Sequence, residues 1–507
     1  MFFFEVALGQ FSNLGSFRVF SICPLFEGIS ASMAVYCAVV GIFYNFINVY
    51  NMVYLFASLN KMLPYSICKN NTECNEKDPN QSKTPEAIYF RDHIVRNAPE
   101  EKYSGFIDYV NWRNIGLLLY LWITFTVAIF KGVEKMKRLP FVYVPICYTV
   151  FLLVLLVTLC LKGAADGIAF MFIPDWETFK NLKTWIFALE QTMLTLGLGL
   201  GPVITLASYC DFASPAHKDS LLISLSAIVG SLLIGGILFS VMGILAAERK
   251  VPINKVIGQF KPNYSGFVVQ VIYSQLFSRL PNGVGQLMNF LFYATFVMSG
   301  WLSLVMYFET TIFTIFIQLP MSRISKMKVN IAVFVVCFIL GMFLANKVGD
   351  EIIWNMEMHL ADFGLFLIII LEFVAVIYLY GVFKFCDNIE LMLEVHTHAY
   401  YKGVWIGLPL FLFTLFCFKI SYGFPFLTLL RTKIVTIVIG VVVILPIIVI
   451  AIKNLVQFKR KGRLRKILSP RGPNFSFTLF HTRPGPSREY PGMKIVSVSM
   501  SDNSSIL

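Results

Sequence analysis

Charge is what this sequence has least of. Asp, Glu, Lys and Arg make up 14% of its 507 residues, and long stretches carry almost none. A soluble chain carries about a quarter charged residues, so a water-soluble globular protein is excluded. Catalytic signatures are missing too. There is no HExxH or paired-histidine motif, no cysteine spacing suited to a metal, and no Ser, His and Asp that can be placed as a triad. An enzyme is therefore not expected. HTH at 396–398 reads as two solvated histidines rather than a metal site. The opening MFFFEVALGQ (1–10) lacks the basic stretch and small-residue cleavage site of a secretory leader. It is also too short to cross a bilayer.

Apolar residues fill the space that charge leaves. Hydrophobic residues reach 57%, 49 of them Phe, and the mean hydropathy is +0.70. Runs of about 18 or more apolar residues lie near 28–56, 112–131, 140–162, 183–210, 219–247, 285–318, 329–346, 361–385, 403–421 and 433–455. The expected fold is an all-α polytopic membrane protein with about ten complete spans. Three basic clusters set its orientation: Lys131 to Arg138, Arg323 to Lys328, and KRKGRLRK at 459–466. If the spans alternate, all three fall on one side, which the positive-inside rule makes cytosolic. The net charge of +13 is then membrane-facing, not a nucleic-acid footprint. The loop 248–284 carries five basic residues on the outside, but long loops weaken the rule.

The outer loops agree. Sequons at Asn70, Asn80 and Asn263 all fall outside, as glycosylation requires. Cys68 and Cys74 share the 57–111 loop as a candidate extracellular disulfide. Residues 1–27 precede the membrane domain at 28–455. The basic segment 456–507, rich in Pro, Ser and Arg from 467 onward, is expected to be a disordered cytosolic tail open to cytosolic partners.

One span contradicts its own environment. In TMLTLGLGLGPVITLASY (192–209), Gly197, Gly199 and Gly201 alternate and Pro202 follows. GLGLG is not GxGxxG and has no βαβ context, so a phosphate loop is excluded. Two readings remain. One is a small-residue packing face, which would space such residues by four. The other is a helix broken to free backbone groups for a ligand near the midplane. Gln191 and Thr195, four apart, share a face beside it. Glu190, Glu309 and Glu372 are ionisable groups within spans, and so functional candidates by default. For Glu309 and Glu372, structural hydrogen bonding between helices is the favoured reading.

Several stretches together resemble the neurotransmitter:sodium symporter family of sodium- and chloride-dependent transporters of amines and amino acids. They are EVALGQFSNLG (5–15), CPLFEGI (23–29), FYNFINVYNMVYLFASL (43–59), IPDWETF (173–179), QTMLTLGLGLGPVITLASY (191–209) and YLYGVFKFCDNIELM (378–392). Their order and spacing, over about 1–455, are more specific than any one of them. The resemblance implies an inverted-repeat transporter with broken helices. It also implies that the first family helix and most of the second lie outside this chain. The expected activity is sodium-coupled symport of an amino acid or related small amine across the plasma membrane. The expected partners are that substrate, membrane lipids, and sodium and chloride as coupled ions, with no organic cofactor. Substrate-lining positions carry over to Tyr44, Leu194, Thr195, Gly197, Leu200 and Ser303. Sodium positions carry over to Thr195, Ser299 and Ser303, and chloride positions to Gln191, Thr195 and Ser231. The pattern departs from the family at four places. Leu194 and Leu200 stand where aromatics are usual. Ala227 and Leu302 stand where oxygen ligands are usual, and sodium requires oxygen. The alternative expectation is therefore a non-transporting member acting as a membrane scaffold or regulator.

Overall fold

A computed structural model describes residues 1–13, 15–68, 74, 84–95, 111–131, 136, 138–259, 268–318, 325–345, 349, 352–353, 364–422, 430–462 and 467–469. Among these, every regular element is helical. That is what lipid imposes, because a helix satisfies its own backbone groups. In chain order the helices are α1 (Phe2–Ser12), α2 (Gly15–Val19), α3 (Gly28–Ala57), α4 (Pro85–Tyr89), α5 (Trp112–Lys131), α6 (Leu139–Leu159), α7 (Ala164–Phe172), α8 (Trp176–Lys180), α9 (Leu182–Leu196) and α10 (Pro202–Ala207). There follow α11 (Ala216–Arg249), α12 (Ile253–Gln259), α13 (Val268–Ser278), α14 (Val284–Gln318), α15 (Lys326–Met342), α16 (Phe366–Phe373), α17 (Val382–Leu393), α18 (Ala399–Tyr422) and α19 (Leu430–Arg460).

Eight of the described helical stretches are long and apolar enough to cross a bilayer. They correspond to eight of the expected spans. The other two are shorter for identifiable reasons. The stretch 183–210 is not one helix but α9 and α10, separated at the glycines. The stretch 329–346 becomes the 17-residue α15, which ends at Met342. The span expected at 361–385 runs on through a π-helical segment, Val374–Gly381, into α17. At the other end α19 continues to Arg460, five residues beyond the expected boundary at 455. Asn454 near its end donates to the Pro24 carbonyl at 2.6 Å and to Glu27 Oε2 at 2.9 Å. The Cys23 thiol donates to the Ile467 carbonyl at 3.5 Å.

The frame around the broken span is built on α3, which packs along α14 and against α5 and α19. Buried aromatics fill that seam, with Trp122, Phe125 and Phe308 clustered and Tyr54 stacked on Tyr293 at 4.9 Å. On the other side α1 lies against α10 and α11. Gly9 permits this approach, since a Cβ there would come within 2.3 Å of the Ile204 carbonyl oxygen. Small residues at a helix contact substitute for the hydrophobic drive that lipid does not supply. The disulfide expected between Cys68 and Cys74 is present. Asn70, Asn80 and Asn263 lie outside the described residues.

Candidate functional site

The break has a definite construction. Helix α9 ends at Leu196, and Gly197 follows in the left-handed region at φ 66°. The Leu198 N–H donates to the Met193 carbonyl at 2.9 Å, and the Gly197 N–H to the Leu194 carbonyl at 3.1 Å. These two bonds form a Schellman motif, which closes a helix on a left-handed glycine. Gly199 (φ 70°) and Gly201 (φ 96°) repeat the left-handed turn, and Gly201 caps α10 with Pro202 at its first turn. Alternate left-handed residues therefore carry the chain across the gap, and only glycine enters that region without strain. The packing-face reading of these glycines gives way to the broken helix.

Two groups freed by the break are held by distant side chains. The Gly199 N–H donates to Glu5 Oε1 at 2.7 Å, and the Cys37 thiol donates to the Leu200 carbonyl at 3.0 Å. Glu5, Cys37 and Leu200 are all nearly or fully buried. Helix α10 is anchored as well, by Thr205 Oγ1 on Ser16 Oγ at 3.0 Å. Glu372, on α16, is fully buried within electrostatic reach of Glu5. Neither of its oxygens has a hydrogen-bond partner among the described residues. The interhelical hydrogen bond expected for Glu372 is not seen among the described residues. Glu309 behaves as expected, accepting from Tyr209 at 3.1 Å and from Lys326 at 2.8 Å.

The site residues expected from the sequence fall into separate groups. Leu194, Thr195, Gly197 and Leu200 stand together at the break. Thr195 and Gln191 are exposed on α9, Leu194 is half-buried, and Leu200 is fully buried, meeting Cys37 through its carbonyl. Tyr44 is half-buried on α3, edge-on to Tyr307 with ring centroids 6.5 Å apart. Ser299 and Ser303 lie one turn apart on α14, both half-buried. The Tyr143 hydroxyl of α6 engages Ser299 Oγ at 2.9 Å and also donates to the Thr295 carbonyl. Ser231 is exposed on α11. No hydrogen bond joins Gln191, Thr195 and Ser231 to one another, or Thr195 to Ser299 or Ser303, among the described residues.

Sequence reasoning missed Glu5, Cys37 and Tyr143. A signal existed for Glu5, because it is an ionisable residue in an otherwise apolar helix. The shortness of 1–10 concealed it. Cys37 and Tyr143 carry no local signal, since a thiol or phenol in a span is ordinary core.

The sequence is 26% identical over 435 residues to the Sodium- and chloride-dependent glycine transporter 1 of Xenopus laevis, covering 80% of this chain and 67% of that protein. It is 26% identical over 445 residues to the Sodium- and chloride-dependent glycine transporter 2 of the same organism, covering 80% of this chain and 55% of the other. A Sodium-dependent nutrient amino acid transporter 1 of Drosophila grimshawi is 26% identical over 443 residues, covering 83% of this chain and 68% of that one. The chain thus spans between about half and two thirds of these relatives' lengths. The model of a whole transporter family matches residues 1–460, a range that contains the broken helix and every side chain that holds it: the chain belongs to the Sodium:neurotransmitter symporter family.

Proposed function

We propose that this chain carries an amino acid or a related small amine across the plasma membrane by sodium-coupled symport. The observation that supports it most is the break itself. Three left-handed glycines open a helix within the membrane domain, and side chains from α1 and α3 hold the opened backbone. Lipid tolerates irregular backbone only where protein or a cavity receives it. In transporters such broken helices place backbone dipoles against substrate and ions near the midplane. The amino-acid substrates in the relatives' names narrow the class.

In this reading Tyr44, Leu194, Thr195, Gly197, Leu200 and Ser303 line the substrate. Leu194 and Leu200 leave more room than aromatics would. Thr195 and Ser303 offer sodium hydroxyl oxygens, and Ser299 offers its carbonyl. Gln191, Thr195 and Ser231 donate to chloride. Alternating access then rocks the two halves of the fold around this region, and the sodium gradient supplies the driving force.

A second reading has a specific observation behind it. Ala227 and Leu302, at positions where oxygen ligands are usual, offer no side-chain oxygen. A member whose cation sites have lost ligands in this way acts as a scaffold or regulator. One experiment separates the two. Uptake of amino acids and amines is screened in cells with external sodium present or replaced by choline. The transport reading expects a sodium-dependent signal that Thr195→Val abolishes. Uptake that is insensitive to sodium across the whole screen overturns it.

A further inference from the structure

Glu190 stands immediately before Gln191, and the proposed site gives it no role. It is one of only three residues of α9 that are buried. The others are Ile186 and Met193, and spacings of four and three put all three on one stripe of the helix. The rest of α9 is largely exposed, including Trp185 at 49% and Phe187 at 46%. The outer arm of the broken helix is therefore held along a narrow seam, with a carboxylate at its centre.

That carboxylate has a partner. Lys419, near the end of α18, pairs through Nζ with Glu190 Oε1, and the two side chains are 14% and 7% exposed. The same ammonium sits 5.9 Å from the centroid of the Phe366 ring on α16. Leu365, the neighbour of Phe366, presses on the break, and its Cδ1 would lie 3.1 Å from a Cβ on Gly199. One cation thus contacts both the outer arm and the helix that backs the break.

Apolar stripes do not drive helices together in lipid, because the tails are equally apolar. Ile186 and Met193 alone give α9 little reason to prefer one rotation. A buried ion pair does, because turning either partner away leaves an uncompensated charge. Gln191 and Thr195 lie about 100° and about 140° round the helix from Glu190. Directing Glu190 toward α18 turns both of them to the open side, where they are found. We infer that Lys419 and Glu190 are a positioning pair that sets the rotation of α9 about its axis, and so fixes where Gln191 and Thr195 face.

The inference rests on the reading of the break as the transport site, but its test does not depend on transport. Thr195→Cys is placed in the full chain and expressed in cells. Its rate of modification by a membrane-impermeant methanethiosulfonate is measured against the chain without it, which subtracts the exposed Cys160, Cys210 and Cys417. Lys419→Met or Glu190→Gln should shift that rate about ten-fold, and Lys419→Arg should not. The reversed pair, Glu190→Lys with Lys419→Glu, should return it to within about three-fold. An unchanged rate in the single variants overturns the inference, as does a reversed pair no better than the singles. If the single variants fail to reach the surface, the surface level of the reversed pair decides instead. Recovery supports the pair, and continued loss overturns it. Failed sodium-driven uptake alongside a positive labelling result would count against the transport reading only.

Discussion

Gly197 and Gly199 share a backbone conformation but not a setting. Their φ angles are 66° and 70°. A Cβ on Gly197 would meet nothing nearer than Val203 Cγ2 at 3.9 Å. One on Gly199 would lie 2.5 Å from Ile369 Cγ1 and 3.1 Å from Leu365 Cδ1. Alanine at 197 should therefore cost only the left-handed conformation, about 1–2 kcal/mol. Alanine at 199 adds the displacement of two packed side chains, about 1–3 kcal/mol more. The expected outcome is a clearly lower thermal midpoint in detergent for Gly199→Ala than for Gly197→Ala; equal losses would mean that the packing described around Gly199 is wrong. The glycines themselves were legible in the sequence as a break or a packing face, and their left-handed φ angles decide for the break. What holds them was not. Glu5 is 194 positions from Gly199, and Cys37 is 163 positions from Leu200. Contacts at such separations are set by how whole helices pack, and neither residue's neighbours announce them.

Elements were legible wherever hydropathy alone defines them, which covers eight spans. They were less legible where a helix must end inside an apolar run. Hydropathy counts α9 and α10 as one span, since left-handed glycines change the backbone without changing the apolar character. Outside the membrane the sequence marked 57–111 only as a loop, yet part of it is a docked element. Thr84 caps α4, and Glu86 is buried against α13. There it accepts from the Ser278 hydroxyl at 2.6 Å, with Arg279 Nη1 3.9 Å away. Arg279 also binds Glu248 through Nε at 2.8 Å, and Arg249 acts on Glu86 from the same end of α11. Burial pushes the Glu86 carboxyl above the usual range, against the opposing pull of Ser278, Arg279 and Arg249. A folded-state value raised above the unfolded one favours folding while the group is protonated. The contribution is complete below about pH 4.3 and is lost as pH rises through the raised value. Hydrogen exchange at 84–95 should thus quicken, beyond the intrinsic rate change, as pH rises through the raised value. Glu86→Gln should flatten that excess. Protection that instead improves with pH would show that Arg279 dominates the site.

At the scale of the whole molecule, the question is whether the packed fold still responds to sodium. The family was legible from the order of six short stretches, because that order survives where any single motif is weak. The ion sites were legible only as a list of residues. Whether Ser299, Ser303 and Thr195 act together depends on helix placement, and Ser299 is engaged by Tyr143 from a helix with no sequence relation to it. A ligand that binds the folded state stabilises it, and sodium at about ten times its dissociation constant adds about 1.4 kcal/mol. For a protein of this size that corresponds to a rise of about 1 °C in thermal midpoint. The transport reading therefore expects purified protein to melt higher in sodium than in potassium at equal ionic strength. Ser303→Ala and Thr195→Val should each remove the difference, because each deletes a hydroxyl oxygen that the cation would use. Gly197→Ala should keep it while lowering both midpoints, which separates loss of an ion ligand from loss of stability. Equal midpoints in the two salts would mean that Ala227 and Leu302 leave the cation too few oxygens to bind. A scaffold or regulatory role would then be the better account of why this chain keeps so elaborate a break.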